Sequence, residues 1–167
     1  IAIMGVLRAG LIVVNVNPLY TPRTLRPQIP TSSAVAIVVV DNFACTVPEV
    51  VADTDVRQVI TTAVGDQVRF PKGVLINFVL KYIKKQVPAY AIPGAIRFDE
   101  ALRRGSRHNL PAVHIEPGDI AFLQYTGGTT GVSKGAMLTH RNLVANMQQA
   151  SAWIGNNLRS GEEVIIT

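Results

Sequence analysis

A loop of glycines, hydroxyl-bearing side chains and one lysine is the part of this sequence best suited to chemistry. It lies within residues 124–140, which read QYTGGTTGVSKGAMLTH. Glycine has no Cβ, so it lets backbone N–H groups approach a ligand closely, and such N–H groups cradle phosphate oxygens. Threonine hydroxyls add donors, and Lys134 adds a mobile positive charge that can follow phosphate charge during a reaction. The composition therefore predicts a site for a nucleoside triphosphate.

Two commoner phosphate-binding motifs do not fit this loop. A Walker A loop has Gly-Lys followed by Ser or Thr, whereas Lys134 follows Ser133 and precedes Gly135. A dinucleotide fingerprint needs the spacing G-x-G-x-x-G, and the glycines here run as G-G-T-T-G. A P-loop NTPase and a Rossmann dinucleotide site are both disfavoured. A plain hairpin loop is the structural alternative, but such a loop needs only one or two special residues.

Extended segments must hold the loop on both sides. Residues 120–125 form a short apolar run behind a Pro-Gly-Asp turn, which predicts a buried strand, and residues 136–138 can resume extended structure. A helix is expected from His140, capped by Thr139 and ending at Gly155. We expect it to pack behind the loop with Met147 and Trp153 in the core. Its apolar stripe consists of Leu143, Val144, Met147, Ala150 and Ile154.

The first half of the chain predicts the frame of a layered α/β domain. Residues 35–40 are β-branched without polar alternation, which is typical of a strand covered on both faces. Asp41 and Asn42 are expected to cap a helix over residues 43–52, interrupted near Pro48. Residues 56–61 predict the next strand, which gives a strand-helix-strand unit of the parallel type.

The N-terminal residues predict a helix, a strand and a turn. Residues 3–9 read as the end of a helix that Gly10 stops, residues 11–14 as a short buried strand, and residues 17–22 as a turn.

A further helix is expected over residues 74–86, where apolar residues recur at helical spacing. Lys81, Lys84 and Lys85 gather at its C-terminal end, where cations suit the helix dipole. Basic amphipathic helices can lie in a membrane interface, so peripheral membrane contact stays open beside the plainer alternative of a surface helix with solvated lysines. Residues 87–118 are rich in proline and glycine and read as a connector, with one helical segment at 98–104.

Composition limits the remaining functions. The net charge is +5, but the basic residues are scattered without the interleaved aromatics of a nucleic-acid groove, so we expect no nucleic-acid partner. The single cysteine, Cys45, excludes an internal disulfide and fits a reducing compartment. No apolar run reaches the length of a bilayer-spanning helix and no secretory leader is visible, which predicts a soluble or peripheral protein. The sequence lacks an initiator Met, so we expect it to be a fragment.

Three histidines invite a metal or catalytic interpretation. His108, His114 and His140 match no zinc spacing and no carboxylate cluster joins them. We therefore expect them not to be metal ligands. No Ser-His-Asp set, paired carboxylate motif or catalytic cysteine context is visible either.

Residues 125–143, YTGGTTGVSKGAMLTHRNL, resemble the phosphate-binding signature of the adenylate-forming superfamily and, within it, bacterial long-chain fatty-acid CoA ligases. Residues 5–10, 15–22 and 94–98 are similar to the same ligases, so the resemblance spans most of the chain. It implies an α/β fold, layered α-β-α with a mostly parallel sheet. The chain would be an incomplete segment of the large N-terminal AMP-binding domain. Its parts would be strand-helix units in residues 1–86, the connector in 87–118, and the loop hairpin with its following helix in 119–167.

The resemblance also implies an ATP-dependent acid-thiol ligase, an acyl-CoA synthetase. Such an enzyme joins a fatty-acid carboxylate to the α-phosphate of ATP, releases pyrophosphate and transfers the acyl group to coenzyme A; Mg²⁺ accompanies ATP. The loop would hold the β- and γ-phosphates and stabilise charge on the departing pyrophosphate, with Lys134 as the catalytic residue. The nucleotide-binding residues would be Tyr125, Thr126, Gly127, Gly128, Thr129, Thr130, Gly131, Val132, Ser133, Lys134 and Gly135.

Several implications concern the whole protein. Its partners would be a fatty acid, ATP and coenzyme A. Its location would be the cytoplasm, and peripheral contact at the inner face of the cell membrane is left open. A homodimer is a further open expectation. The adenine-contacting segment, the acidic Mg²⁺ ligand and the C-terminal domain would lie beyond Thr167, so the isolated chain is expected not to turn over. An aryl-CoA or acyl-AMP ligase, a nucleotide-binding module without chemistry, and a purely structural α/β domain are the alternatives.

In one segment the sequence departs from these ligases. They have a helix where residues 23–33 carry Pro27 and Pro30. Because an interior proline costs a helix about 3 kcal/mol, this helix must be broken, shortened or replaced by a loop.

Overall fold

The computed structural model describes residues 1–126 and 134–154, and this part of the chain contains two three-stranded sheets. The first sheet has the strand order β1-β5-β6, with β1 at Val13–Asn15, β5 at Ile120–Thr126 and β6 at Lys134–Thr139. The second has the order β2-β3-β4, with strands at Ala36–Val40, Gln58–Thr62 and Ile96–Arg97.

The helices are mostly short. The α-helices are α1 (Ala2–Arg8), α2 (Pro22–Leu25), α3 (Gln28–Ser32), α4 (Val47–Val51), α5 (Lys72–Phe78), α6 (Phe98–Gly105) and α7 (His140–Ile154), joined by a 3₁₀ helix (Asp41–Thr46) and a π-helical segment (Val79–Ile83).

The second sheet is parallel throughout, as the β-strand-helix-strand pattern predicts. β2 pairs with β3 from Ala36 opposite Gln58 to Val40 opposite Thr62, and β3 pairs with β4. The helical connection between β2 and β3 changes from 3₁₀ to α at Val47, one residue before the expected interruption at Pro48. The prediction that β2 is covered on both faces is wrong: Val38 is 44% exposed. A β-branched run favours a strand, but it does not determine what packs on it.

The predicted break in residues 23–33 is confirmed. α2 ends at Leu25 and α3 starts at Gln28, with Pro27 between them. Pro30 is tolerated inside α3 because it lies in the first turn, where backbone N–H groups have no intrahelical acceptor in any case.

At the N-terminus, α1 ends as predicted before Gly10, whose φ of 70° is in the left-handed region that favours glycine. The strand that follows starts two residues later than predicted. Val13 is buried, but Leu11 and Ile12 are largely exposed and lie before the strand. The predicted turn is present, closed by the Tyr20 N–H donating to the Asn17 carbonyl at 3.0 Å.

The apolar core of the described residues is small. One part lies where the 3₁₀ helix and α4 meet β3, and a second part lies in β1 and β5 of the other sheet. The prediction that Met147 and Trp153 belong to the core is wrong, because Trp153 is 89% exposed and Met147 is 69% exposed. The buried apolar residues are Val13, Ala44, Val47, Val50, Val59 and Ala121.

Candidate functional site

The predicted loop joins β5 to β6, which form an antiparallel hairpin. Thr126 lies opposite Lys134, and Tyr125 lies opposite Gly135. β5 is where the sequence predicts it, although residues 122–125 are only half-buried. β6 begins at Lys134, two residues before the predicted extended segment, so Lys134 and Gly135 belong to the strand. The pairing brings Thr126 and Lys134 together at the mouth of the loop. The predicted site residues Gly127, Gly128, Thr129, Thr130, Gly131, Val132 and Ser133 lie outside the described residues.

Below the mouth, the Tyr125 side chain ties the hairpin to α3. Its hydroxyl oxygen lies 2.8 Å from Thr31 Oγ1 and also donates to the Gln28 carbonyl oxygen at 3.3 Å. Thr31 in turn bonds back to carbonyls within its own helix. Thr31 was not singled out by the sequence, because nothing local in residues 23–33 indicates that they contact the hairpin.

The Tyr125 ring packs against the backbone of Gly135. A Cβ on Gly135 would lie 3.3 Å from Tyr125 Cζ and 3.4 Å from Cε1, closer than nearly all real Cβ contacts. The absence of a side chain at position 135 therefore allows the ring to cross the neighbouring strand. This gives Gly135 a packing role beside its predicted role in nucleotide binding.

A polar side-chain pair links the hairpin to the strand on its other side. β1 runs parallel to β5 with Asn15 opposite Gln124, and Asn15 Nδ2 donates to Gln124 Oε1 at 3.3 Å. β5 is therefore supported by β1 on one side and by β6 on the other.

The helix after the hairpin begins as predicted at His140, with Thr139 as its cap. The Asn142 N–H donates to Thr139 Oγ1 at 3.3 Å, and the Thr139 N–H donates to Asn142 Oδ1 at 3.0 Å. This reciprocal pair resembles a capping box, with an amide in place of the usual Glu or Gln. The His140 N–H also donates to the Asp119 carbonyl at 3.0 Å, which attaches the helix start to the residue before β5.

Two of the three histidines lie near the start of β5. His140 and His114 line a cavity of about 380 Å³ near Asp119 and Ile120, at the end of β5 opposite to the loop. Within residues 1–126 and 134–154, no group of three or more His, Cys, Asp and Glu side chains is placed to hold a metal ion.

A second polar cluster, the Arg97 cluster, lies where β2, β3 and β4 end. Arg97 Nη1 donates to both carboxylate oxygens of Asp41 at 2.9 Å, and Nη2 donates to Asp66 Oδ2 at 2.8 Å. The Tyr90 hydroxyl donates to Asp41 at 2.8 Å, and Asn77 Nδ2 donates to Asp66 at 2.9 Å. The cluster therefore joins the ends of three strands with α5 and the segment before β4.

The cluster also corrects the role predicted for Asp41 and Asn42. Neither side chain caps the helix that follows. The Asp41 carboxylate is directed instead to Arg97 and Tyr90, and Asn42 Nδ2 donates to the Gln86 carbonyl at 3.0 Å. A guanidinium and a phenol compete successfully for the carboxylate, since charge-assisted hydrogen bonds are the stronger ones.

The cluster shifts the acidities of two of its members. Partial burial and the hydrogen bond to Asp41 raise the pKa of the Tyr90 phenol above its usual value. Burial alone would lower the pKa of Arg97, but the hydrogen bond and charge of Asp41 and the charge of Asp66 outweigh it, so the pKa of Arg97 is raised. Both groups are thus held in their protonated forms.

Two α/β sheets with mostly parallel strand pairs, one of them carrying a hairpin with a glycine-rich loop sequence, form the arrangement expected of an adenylate-forming enzyme. The chain matches the model of the AMP-binding enzyme family over residues 1–167 and belongs to that family.

Curated relatives are similar along the whole chain. The long-chain-fatty-acid–CoA ligase of Escherichia coli O157:H7 is 56% identical over 167 residues, which is 100% of this chain and 30% of the relative. The enzyme of the same name from Bacillus subtilis (strain 168) is 35% identical over 166 residues, covering 99% of this chain and 30% of the relative. The chain thus spans less than a third of the length of these relatives.

Solved structures confirm the fold. The anthranilate CoA ligase AuaEII in complex with anthranoyl-AMP aligns with a TM-score of 0.63 at 17% identity, over 88% of this chain and 24% of that one. An acyl-CoA synthetase from Brucella canis aligns with a TM-score of 0.62 at 22% identity, over 95% of this chain and 24% of that one. The expected fold class and superfamily are confirmed.

None of the helices in the described ranges is long and apolar enough to cross a membrane.

Proposed function

We propose that the full-length protein is a long-chain fatty-acid CoA ligase. It activates a fatty acid with ATP to acyl-AMP and pyrophosphate, and then forms acyl-CoA. The observation that carries the proposal is the hairpin that sets Lys134 opposite Thr126 at the mouth of a glycine- and threonine-rich loop. Identity of 56% to a ligase of this name over the whole chain supports the choice of acid.

The first step needs help with charge rather than a covalent catalyst. The fatty-acid carboxylate attacks the α-phosphorus of ATP, and the bond from that phosphorus to the bridging oxygen of the β-phosphate breaks. Negative charge grows on the departing pyrophosphate, where a fixed cation and N–H donors lower the barrier most. Lys134 is exposed, and no carboxylate in the described ranges forms an ion pair with it. Its ammonium is therefore available to a phosphate.

The rest of the loop binds the nucleotide. Thr126, Thr129 and Thr130 contact phosphate oxygens, while the glycines at 127, 128 and 131 shape the loop and present backbone donors. Tyr125 and Gly135 keep the two strand ends in register beneath it. The remaining loop residues, Val132 and Ser133, complete the nucleotide-binding segment.

Mg²⁺ and coenzyme A are the other participants. Mg²⁺ would accompany ATP and neutralise part of the phosphate charge; within the described residues, no group of three or more His, Cys, Asp and Glu side chains is placed to hold it. Coenzyme A accepts the acyl group in the second step. We expect the 167 residues alone not to turn over, because they span 30% of the length of the Escherichia coli O157:H7 ligase.

The proposed location follows from the substrate. We place the enzyme in the cytoplasm with peripheral contact at the inner face of the cell membrane, because long acyl chains partition strongly into bilayers. A homodimer is the proposed assembly, to be checked by sedimentation of the purified protein.

The test is fatty-acid-dependent exchange of labelled pyrophosphate into ATP by the full-length protein. Exchange should require a long-chain fatty acid and fall about 100- to 1000-fold in Lys134→Ala, the size expected for loss of one charge-stabilising donor. Lys84→Ala is the matched control, since Lys84 is exposed and remote in sequence from the loop, and it should exchange as the wild type does.

Three outcomes would revise the proposal. Exchange with aromatic acids alone would indicate an aryl-CoA ligase, and exchange without subsequent thioester formation an acyl-AMP ligase. ATP binding without exchange for any carboxylic acid would indicate a nucleotide-binding module without chemistry. Thermal stability that does not respond to ATP would indicate that the loop is a structural hairpin and does not bind the nucleotide.

A further inference from the structure

The short helix α3 contacts the hairpin on the sheet face opposite to that of Lys134. Tyr125 and Gly135 are direct partners in β5 and β6, and the Tyr125 ring crosses the Gly135 backbone to reach α3. Side chains alternate between the two faces of a strand, so Lys134, the neighbour of Gly135, extends from the other face. α3 therefore supports the hairpin from behind the strand that carries Lys134.

The hydrogen bonds at this contact have a direction. The Thr31 hydroxyl has one hydrogen, which it donates to the Pro27 carbonyl at 2.9 Å or the Gln28 carbonyl at 3.0 Å within its own helix. Its lone pairs remain to accept from the Tyr125 hydroxyl, 2.8 Å away. The Tyr125 hydroxyl also lies 3.3 Å from the Gln28 carbonyl, the longer of its two contacts with α3. Thr31 thus links the phenol to the backbone of α3.

Two prolines make this short helix a firm support. A five-residue helix has little stability of its own, but Pro27 and Pro30 fix their φ angles before and within α3. Gln28 is only 2% exposed, which attaches the helix to the protein interior. α3 therefore loses little further freedom when it holds the Tyr125 hydroxyl.

We infer that Thr31 is a positioning residue for Lys134 in the adenylation step, an inference that rests on the function proposed above. The Thr31 hydroxyl holds Tyr125, whose ring lies against the residue next to Lys134. The Lys134 ammonium must meet charge that grows on the departing pyrophosphate, and such stabilisation needs a cation whose place is fixed before the reaction. Loosening the strand at Gly135 therefore affects the transition state more than it affects substrate binding.

The experiment compares Thr31→Val with the wild type in fatty-acid-dependent exchange of pyrophosphate into ATP by the full-length protein. Valine keeps the branched shape of threonine and removes the hydroxyl. We expect kcat to fall about 5- to 10-fold, while KM for ATP changes less than about 2-fold. Thr31→Ser keeps the hydroxyl and should retain kcat. An unchanged kcat in Thr31→Val, or an equal loss in Thr31→Ser, would overturn the inference.

Thr24 in the neighbouring helix α2 offers a matched control. Its hydroxyl oxygen lies 3.1 Å from that of Thr21, and Thr24 is exposed as Thr31 is, but this pair joins two residues of the same turn. Thr24→Val should exchange pyrophosphate as the wild type does. A loss as large as that of Thr31→Val would overturn the inference, because the contact with Tyr125 would then not be its cause.

Tyr125→Phe removes the same link from its other end. If Thr31 acts through Tyr125, Thr31→Val should lower kcat in the wild type but cause no further loss in a Tyr125→Phe background. This comparison also separates the link from any direct contact of Tyr125 with the nucleotide. Losses that multiply in the double variant would show that Thr31 acts by another route, and would overturn the inference.

Backbone hydrogen exchange without ATP or fatty acid distinguishes this inference from the proposed function. Exchange at residues 134–136 of the full-length protein should be faster in Thr31→Val and unchanged in Thr24→Val. A wild type that exchanges pyrophosphate, with a Thr31→Val variant that shows neither faster hydrogen exchange nor lower kcat, would overturn this inference alone. A wild type that exchanges no pyrophosphate with any acid would overturn the proposed function and the role of Thr31 in adenylation with it.

Discussion

The mouth of the loop hairpin and the Arg97 cluster each carry polar groups at the ends of strands, yet they use them differently. At the hairpin, Lys134 is exposed and forms no ion pair with a carboxylate of the described ranges. In the Arg97 cluster, two carboxylates bind one guanidinium and a phenol donates to one of these carboxylates; the Asp66 side chain is only 7% exposed. Charges that neutralise one another stabilise the fold, while an exposed cation without a carboxylate partner in the described part of the chain can bind a ligand.

A cluster of polar side chains does not by itself indicate a functional site. The carboxyl ends of parallel strands are where ligands commonly bind in α/β folds, and the Arg97 cluster is at such an edge. Its donors and acceptors are nevertheless engaged within the protein. A perturbed pKa is a sign of a functional site only when structural ion pairs are excluded as the cause, and here they are the cause.

Arg97→Ala should separate stability from activity most clearly. Two half-buried or buried carboxylates would lose their common cation, and we expect the free energy of unfolding to fall by about 2 kcal/mol, less than for a fully buried pair because Arg97 is partly exposed. Urea unfolding would measure this. Lys134→Ala, in the same assay, should leave the unfolding free energy within about 0.5 kcal/mol of the wild type.

The control for Arg97 is Arg26→Ala, which removes an ion pair with Asp53 whose side chains are 64% and 80% exposed. That pair should contribute less than about 0.5 kcal/mol. If Arg97→Ala cost no more than Arg26→Ala, the Arg97 cluster would not be the structural unit described above. If it abolished pyrophosphate exchange in folded protein, the division between the two regions would fail.

Gly135→Ala tests the base of the hairpin with a smaller effect. The added methyl would meet the Tyr125 ring at 3.3 Å, and we expect a cost of about 1 kcal/mol, with weaker ATP binding because the strand ends must shift. In a Tyr125→Leu background, where the obstructing ring is absent, the loss of ATP affinity caused by Gly135→Ala should be smaller. ATP binding by calorimetry measures both steps. Equal ATP affinity in wild type and Gly135→Ala would contradict the packing role of Gly135.

Local features of the chain were predictable because the cause of each lies within a few residues. Pro27 breaks a helix whatever surrounds it, and Gly10 ends one by adopting a positive φ. The hairpin strands and the Thr139 cap were also recognisable, since alternation and capping are read over three or four positions. Residues 127–133, at the centre of the loop, lie outside the described residues. The contacts proposed between them and ATP therefore stay predictions.

Contacts between distant parts of the chain were not predictable from these patterns. The Tyr125 and Thr31 hydroxyls are 94 positions apart, and Arg97 meets Asp41 across 56. Only the alignment of strands brings such residues together. The prediction of burial on α7 was wrong for a related reason. An apolar stripe indicates that one face of the helix favours packing against other apolar groups, but it does not show that the described residues supply those groups. The chain covers 30% of its curated relatives, and Trp153 is exposed.

The smallest expected effect comes from Tyr90→Phe and depends on pH. Because partial burial and the Asp41 hydrogen bond raise the pKa of Tyr90 in the folded state above the usual 10.0, the phenol ionises less readily folded than unfolded. The stability that this shift contributes is therefore complete below pH 10.0 and is lost as pH rises through the folded pKa. Tyr90→Phe should cost about 0.5–1 kcal/mol at neutral pH, for one hydrogen bond whose acceptor keeps Arg97.

Above the usual pKa of tyrosine the difference between wild type and Tyr90→Phe should narrow, because only the wild type loses the contribution of the phenol. Urea midpoints of both proteins, taken at neutral pH and again in alkali, measure this directly. Parallel decline of the two midpoints would mean that Tyr90 ionises in the folded protein as easily as in the unfolded one. The Arg97 cluster would then hold Asp41 through the guanidinium alone, and the Tyr90 hydroxyl would not contribute to stability.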